Sequence, residues 1–388
     1  MSTASVEALV DGLQAIVGPA HVSTTPPDRV AYARDLWPRS QLDRLAGEPP
    51  RLPTAIAWPA DTAQVAEVVA LCRATRTPIV PFGAGSGVCG GTLPVRRGLV
   101  LDLKRLRRVR RLAAEDGVIE VEAGHNGERL ERWLAHRGLT LGHFPSSILC
   151  STVGGWVAAR SAGQCSSRYG KIEDMVVDLE VVTGDGQVRR TPRVDAGGFD
   201  WNGVFVGSEG TLGVITSATL KVHPEPRARA FRGWQVPDIQ AGLTVMRRAM
   251  QAGLRPAVLR LYDPLDTLMV GSDGDKKAGG GPLHTLKQGL LGQGSGGGAL
   301  RWILSHPRLG NGAVNLLPAP CLLVTVSEGE PGEARATDDA LAAFAREVGA
   351  KDLGEGPGRA WLAHRYDVSY KQSGIYRKGA FVDTFEVA

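Results

Sequence analysis

VPFGAGSGVCGGTLPV, Val80 to Val95, is the stretch on which the fold turns. It continues from TPIVPF, which has the β-branched and aromatic content of a strand, and Gly85, Gly87 and Gly90 fit the GxGxxG pattern of a dinucleotide loop. In a Rossmann unit the third glycine opens a helix whose N-terminus holds the pyrophosphate. Here the chain goes on as GTLPVRRGLVLDL, and Gly91, Pro94 and Gly98 break any helix before the next strand. The Rossmann reading fails on that context. Two readings remain: glycines that serve a tight turn at a sheet edge, or missing side chains that let backbone N–H groups converge on a phosphate without a helix.

Two further stretches share this texture. GHFPSSILCSTVGGWVAARSAGQCSSRYGKIEDMVVDLEVVTGDG, Gly142 to Gly186, carries small residues and hydroxyls where a buried strand-to-helix region would carry Leu and Val. FVGSEGTLGVITSATLKVHPEP, Phe205 to Pro226, sets Gly207, Gly210 and Gly213 around a Glu and a Thr before a strand. One long ligand touching all three segments explains them more economically than three unrelated turns.

The rest of the chain sets the frame. Its 388 residues, 43% of them apolar, suffice for two packed cores. Asp61 caps a helix with Val65, Val68, Val69 and Cys72 on one face, and GLVLDL, VIEVEAG, MVVDLEVVTGDGQV and LGVITSATLKV read as strands. From about Arg227 a pattern of strand, helix and strand predicts an antiparallel sheet with helices on one face, and the Gly-rich stretch 271–298 reads as a mobile insertion. MSTASVEALVDGLQAIVGPA reads as an amphipathic helix rather than a signal peptide, and no apolar run approaches the roughly 20 residues of a membrane span. Cys72, Cys89, Cys150, Cys165 and Cys321 show no CxxC or Cys/His ligand spacing, which points to a reducing, cytoplasmic setting and to no metal site.

The three blocks, in this order and spacing, resemble the FAD-binding flavoproteins of the vanillyl-alcohol oxidase and p-cresol methylhydroxylase type. VPFGAGSG is similar to the pyrophosphate loop, STVGGWVAARSAG with YGKIEDMVVDLEVVTGDG to the central flavin-contacting block, and GSEGTLGVIT to the closing signature. Within that family GHFPSS, RLYD and DTFEVA resemble the alkyl-dihydroxyacetonephosphate synthases, with the D-lactate and glycolate dehydrogenases as a neighbouring branch. The resemblance implies an α+β chain: an N-terminal helical arm (1–47), a PCMH-type FAD-binding domain (48–226), and a substrate cap domain of the FAD-linked oxidase C-terminal type (227–388) whose antiparallel sheet is flanked by helices.

It also implies roles. Pro81, Phe82, Gly83, Ala84, Gly85, Ser86 and Gly87 would wrap the pyrophosphate. Pro145, Ser146, Ser147, Ile148, Leu149, Cys150 and Ser151, with Ala159, Arg160, Ser161 and Ala162, would line the flavin and ribityl chain; Glu209, Gly210, Thr211, Leu212, Gly213, Val214 and Ile215 would complete the adenosine side. The loop holds no histidine, His125 lies well downstream, and Cys89 reads as a small buried thiol, so the expected FAD is non-covalent. Arg260 is the candidate for holding a substrate anion, against an ion pair with Asp263 or Asp266. Asp383 and Glu386, then His364, Tyr366 and Lys371, follow as weaker candidates.

The implied function is transfer of a hydride to flavin from a 2-hydroxy acid of the D-lactate or glycolate type, or synthase-like action on an acyl-glycerone phosphate. The substrate is then a small or lipid-like anion, with the electron acceptor left open. The family's histidine-rich stretch and a tyrosine would lie beyond FVDTFEVA, so the chain is expected to be truncated relative to it. A catalytically inactive FAD-binding chain is the first alternative. The second is a basic adaptor acting through KRLRRVRR, Lys104 to Arg111: an isolated basic run without interleaved aromatics reads as a solvated face, no nucleic acid is expected, and peripheral membrane contact stays open.

Overall fold

Leu9, Leu13 and Val17 recur at helical spacing on α1 (Thr3–Val17) and are buried against α2 (Thr62–Ala74), whose Val65, Val68, Val69 and Cys72 face them. Each of these buried side chains contributes roughly 2 kcal/mol of transfer free energy. The Asp61 carboxylate starts α2 by accepting the Gln64 N–H at 2.9 Å. The computed structural model describes residues 3–264, 266–267 and 320–367. The chain divides into one unit of residues 1–225 with 366–388 and a second of residues 226–365.

In the first unit β1 (Val22–Ser23), β2 (Ala55–Ala57), β3 (Ile79–Phe82) and β4 (Leu99–Asp102) form a sheet in the order β1-β2-β4-β3. β4 runs parallel to both β2 and β3, and α2 supplies the crossover that parallel strands require. A second sheet, entirely antiparallel, has the order β5-β6-β10-β8-β9: β5 (Val109–Ala113), β6 (Val118–Glu122), β8 (Val176–Thr183), β9 (Val188–Arg190) and β10 (Gly213–Lys221). A short pair joins β7 (Leu139–Thr140) to β11 (His223–Pro224). Helices α3 (Gly127–Ala135) and α4 (Val153–Ala158) add Leu130, Leu134, Val153, Trp156 and Val157 to the core under this sheet. The N-terminal helical arm read from the sequence falls in this unit, with Leu9, Leu13 and Val17 of α1 in its core.

The second unit is a sheet in the order β13-β14-β12-β15: β12 (Ala228–Val236), β13 (Val258–Tyr262), β14 (Cys321–Gly329) and β15 (Lys351–Asp352). Trp234, Val236, Cys321 and Leu323 pack with Val245 of α5 (Ile239–Gln251) and with Ala342 and Ala345 of α6 (Pro331–Glu347). The expectation of helices on one face is corrected: α7 (Gly356–His364) covers the other. Side chains alternate along a strand, and while Arg232 reaches Asp338 of α6, its neighbour Gly233 lies so close to Pro357 that a Cβ would stand 2.4 Å from it. The stretch 271–298 lies outside the described residues.

Candidate cofactor site

β3 delivers the chain into the glycine loop with Phe82 buried behind it. A Cβ on Gly83 would stand 2.4 Å from Thr152 Oγ1, and Gly85, at φ +66°, would put one 2.6 Å from the Phe82 ring. Only glycine fits at either position. The amides of Ala84, Gly85, Ser86 and Gly87 donate to no acceptor among the described residues. Successive free N–H groups are what an anion-binding loop requires, and no helix is needed.

A segment that the sequence did not single out holds this loop in place. Leu36 donates its N–H to the Gly87 carbonyl at 2.9 Å, and the Asp35 carboxylate accepts from Gly90 at 2.9 Å. Trp37 packs where a Gly90 side chain would be. Burial raises the Asp35 carboxyl above its ordinary value, while the N–H groups of Trp37 and Gly90 draw it back. The stretch containing them, TPPDRVAYARDLWPRS, is rich in Pro and has no regular apolar period.

The other two segments close on the loop. Thr152, against Gly83, also caps α4 by accepting from Gly155 at 3.4 Å. The end of α4 receives the third segment: Gly207 donates to the Val157 carbonyl at 2.9 Å and Glu209 to that of Ala158 at 3.0 Å. Gly210 lies against Pro81, and the Glu209 carboxylate lies beside Gly91. Arg160 and Glu209 hold left-handed backbone conformations, φ 51° and 49°, which cost non-glycine residues of order 1–3 kcal/mol each. Arg160 is exposed and makes no ion pair among the described residues; its stem and guanidinium lie against Gly207.

Not every expected residue reaches this site with its side chain. Ile148, Val214 and Ile215 are packed in the core, so only their backbones are available to a ligand. Leu149 and Leu212 instead are exposed apolar side chains, at 47% and 49%. Ser146 accepts from Gln164 at 3.1 Å, Ser151 from the Trp156 indole at 2.8 Å, and Ser161 bonds the His143 ring at 2.8 Å. The reading of Cys89 as a buried thiol is corrected: the loop turns outward at Val88 and Cys89, and both are exposed.

Arg260 lies in the second unit, on β13, with its guanidinium over the Tyr262 ring at 4.9 Å. No ion pair joins it to Asp263 or Asp266 among the described residues. Burial raises the Asp266 carboxyl, with Asp263 adding to the effect and Arg260 opposing it. His364 ends α7; Lys371, Asp383 and Glu386 lie outside the described residues. The basic run departs from a freely solvated face. Fully buried Glu122 takes Arg108 at 2.8 Å, and Arg110 reaches Glu120 and Glu180 as well as Glu122. Residues 107–112 line an open cleft of about 660 Å³ with His125, Trp133 and Arg137.

Free amides without a helix, with two Gly/Ser-rich segments closing on them, are the features that a dinucleotide site of the non-Rossmann kind requires. Residues 53–192 match the family described as FAD binding domain, and residues 225–388 that described as FAD linked oxidases, C-terminal domain. The chain carries an FAD binding domain and the C-terminal domain of FAD-linked oxidases, its fold is of the PCMH type, and FAD is its cofactor. It is 29% identical to alkyldihydroxyacetonephosphate synthase of Trypanosoma brucei brucei over 363 residues, 92% of this chain and 55% of that one. To glycolate oxidase subunit GlcD of Bacillus subtilis (strain 168) it is 32% identical over 261 residues, 66% of this chain and 53% of that one. A solved alkyldihydroxyacetonephosphate synthase matches with a TM-score of 0.76 and 26% identity, over 94% of this chain and 64% of the other. p-Cresol methylhydroxylase shares the fold at a TM-score of 0.67 and 17% identity, over 98% of this chain and 70% of the other. The chain thus spans about half the length of the curated relatives it matches. The residues present fit FAD: the would-be Cβ positions of Gly83 and Gly85 and the free amides between them are what close approach of a diphosphate requires.

Proposed function

We propose that the chain binds FAD without a covalent link and acts as a flavin-dependent oxidoreductase or transferase on a small or lipid-like anion. The observation that carries this is the row of amides at Ala84–Gly87 that meet no acceptor among the described residues, set in one unit with Arg160, which makes no ion pair among them. Those amides would hold the diphosphate, and Arg160 would balance its charge. Leu149 and Leu212 would shield an apolar ring edge from water. Bound FAD supplies an acceptor for a hydride or an electron pair. Arg260 would hold a substrate carboxylate or phosphate.

Two substrate classes follow from the relatives. The glycolate oxidase likeness supports a 2-hydroxy acid, and the synthases, which align over more of this chain, support an acyl-glycerone phosphate. The five free cysteines support a cytoplasmic, reducing setting. The adaptor reading loses ground because Arg108 and Arg110 are neutralised by glutamates of their own sheet.

The test is the absorption spectrum of the purified chain after incubation with FAD and desalting. Flavin bands that move to the supernatant on acid precipitation support non-covalent binding; their absence overturns the proposal. Bleaching by anaerobic D-lactate or glycolate selects the hydroxy-acid reading. Turnover of an acyl-dihydroxyacetone phosphate without bleaching selects the synthase-like one, and inertness toward both leaves an FAD-binding chain that is catalytically inactive.

A further inference from the structure

Next in sequence to Thr152 and Arg160 lie the two ends of a buried polar chain that the loop motif does not account for. His143 is fully buried. Its Nε2 lies 2.8 Å from Ser161 Oγ, its Nδ1 has no partner among the described residues, and its ring stands edge-on to Trp156 with centroids 4.7 Å apart. Trp156 in turn donates its Nε1–H to Ser151 Oγ at 2.8 Å. Ser151 precedes Thr152, which touches Gly83, and Ser161 follows Arg160.

Donor and acceptor rules fix the direction of both contacts. An indole N–H only donates, so Ser151 Oγ accepts from Trp156 and keeps its own proton for another partner. For the imidazole, a buried N–H left without an acceptor is rarer and costlier than a bare lone pair. The proton therefore belongs on Nε2, pointing at Ser161 Oγ, and the bare lone pair on Nδ1. A Cβ on Gly163 would lie 3.1 Å from Nδ1, so a larger residue there would crowd the ring out of place. Burial keeps the ring neutral, its pKa pulled down to about 3.

We propose that His143 and Trp156 are positioning residues: each donates a buried N–H to a serine next in sequence to a residue of the site's segments, so that Ser161 and Ser151 meet the cofactor as hydroxyl donors. This rests on the reading of the cradle as an FAD site. A hydroxyl whose lone pair is already engaged offers its proton without reorganising, which favours the carbonyl, hydroxyl and phosphate oxygens of a flavin dinucleotide over a ligand that needs acceptors.

Two measurements test it. Long-range ¹H–¹⁵N spectra of the FAD-free chain should show His143 neutral and protonated on Nε2 from pH 5 to 8; a proton on Nδ1, or titration within that range, overturns the proposal. In flavin-fluorescence titrations Ser161→Ala and His143→Leu should each weaken FAD binding about tenfold, the double variant no more than the worse single one, and His143→Gln should restore most of the loss. A folded His143→Leu chain with unchanged affinity, or additive losses, overturns it. Should His143→Leu fail to fold, the spectra of the unsubstituted chain and the Ser161→Ala titration decide alone, an unchanged Ser161→Ala affinity counting against it. Failure of the unsubstituted chain to take up FAD would overturn the function proposed above and this inference with it, whereas normal uptake with an Nδ1 proton removes only this inference.

Discussion

The two units satisfy their backbones in opposite ways. In the second, β12 and β14 pair without a break from Ala228 with Gly329 to Val236 with Cys321, and the whole of β14 is buried. In the first, β10 slips register twice against β8, and the four non-glycine residues with positive φ among the described residues, Arg76, Arg97, Arg160 and Glu209, all lie here. Two of those four sit in the segments that meet at the glycine loop, next to amides with no acceptor. Backbone groups paired between β12 and β14 are not available to a ligand, whereas the first unit holds unpaired amides and strained residues in the segments proposed to meet a diphosphate. If that contrast is right, damage to the second unit costs stability, and damage to the cradle costs cofactor.

The largest effect is expected at Asp338. Its carboxylate, on α6, is almost wholly buried and takes two nitrogens of Arg232, which it shares with Asp352. These partners hold the Arg232 guanidinium well above its ordinary pKa, the hydrogen bond to Asp338 first among them. Asp338→Ala should destabilise the second unit by roughly 3 kcal/mol, at the low end for a broken buried pair because Asp352 remains. Thermal unfolding should gain an earlier transition while FAD retention by the folded chain is unchanged. Loss of FAD at temperatures where the chain is folded would erase the contrast.

Gly83→Val strikes the other side. Its Cβ would stand 2.4 Å from Thr152 Oγ1, so either the loop or the start of α4 must move. FAD affinity should fall about 100-fold, equivalent to 2–3 kcal/mol, with little change in the melting of the second unit. Asp35→Asn should follow with about a tenfold loss, since an amide NH2 would face one of the two N–H groups that the carboxylate now accepts, and a buried acceptor is worth roughly 1–2 kcal/mol. Both are read by flavin-fluorescence titration. An Asp35→Asn chain that binds FAD normally would reduce the N-terminal clamp to a packing detail.

That clamp marks the limit of what the sequence shows. α2, β4, β6, β8 and β10 were legible because apolar spacing and Asp/Gly boundaries are local, and the glycine loop because a run of missing side chains before a strand has few other uses. Asp35 and Trp37 were not, since about fifty residues separate them from the loop and their own neighbourhood has no period. The match to the FAD binding domain family likewise begins at residue 53, beyond them. Glu122 hid the pairing of the basic run in the same way, from an adjacent strand. His143 was quoted within GHFPSS, yet only its burial and its contact with Ser161 distinguish it from any other histidine.

The smallest effect concerns pH and sharpens the contrast within the first unit. The His143 pKa lies at about 3 in the folded chain against an ordinary 6.5, so between these values the unfolded chain binds more protons than the folded one. Its contribution is therefore fully present above pH 6.5 and is lost as the pH falls toward 3. At pH 5.5 the loss amounts to about 1.4 kcal/mol. His125 and His223, also lowered by burial, act in the same sense, while the raised carboxyl of Asp35 acts in the opposite one at lower pH. Only a variant separates them. Urea unfolding of His143→Leu at pH 7.5 and 5.5 should show about 1.4 kcal/mol less acid destabilisation than the unsubstituted chain in the transition of the first unit. Equal losses in the two chains would mean that the ring takes up its proton in the folded state, and a charged imidazole with both nitrogens donating could not be matched by the single serine beside it.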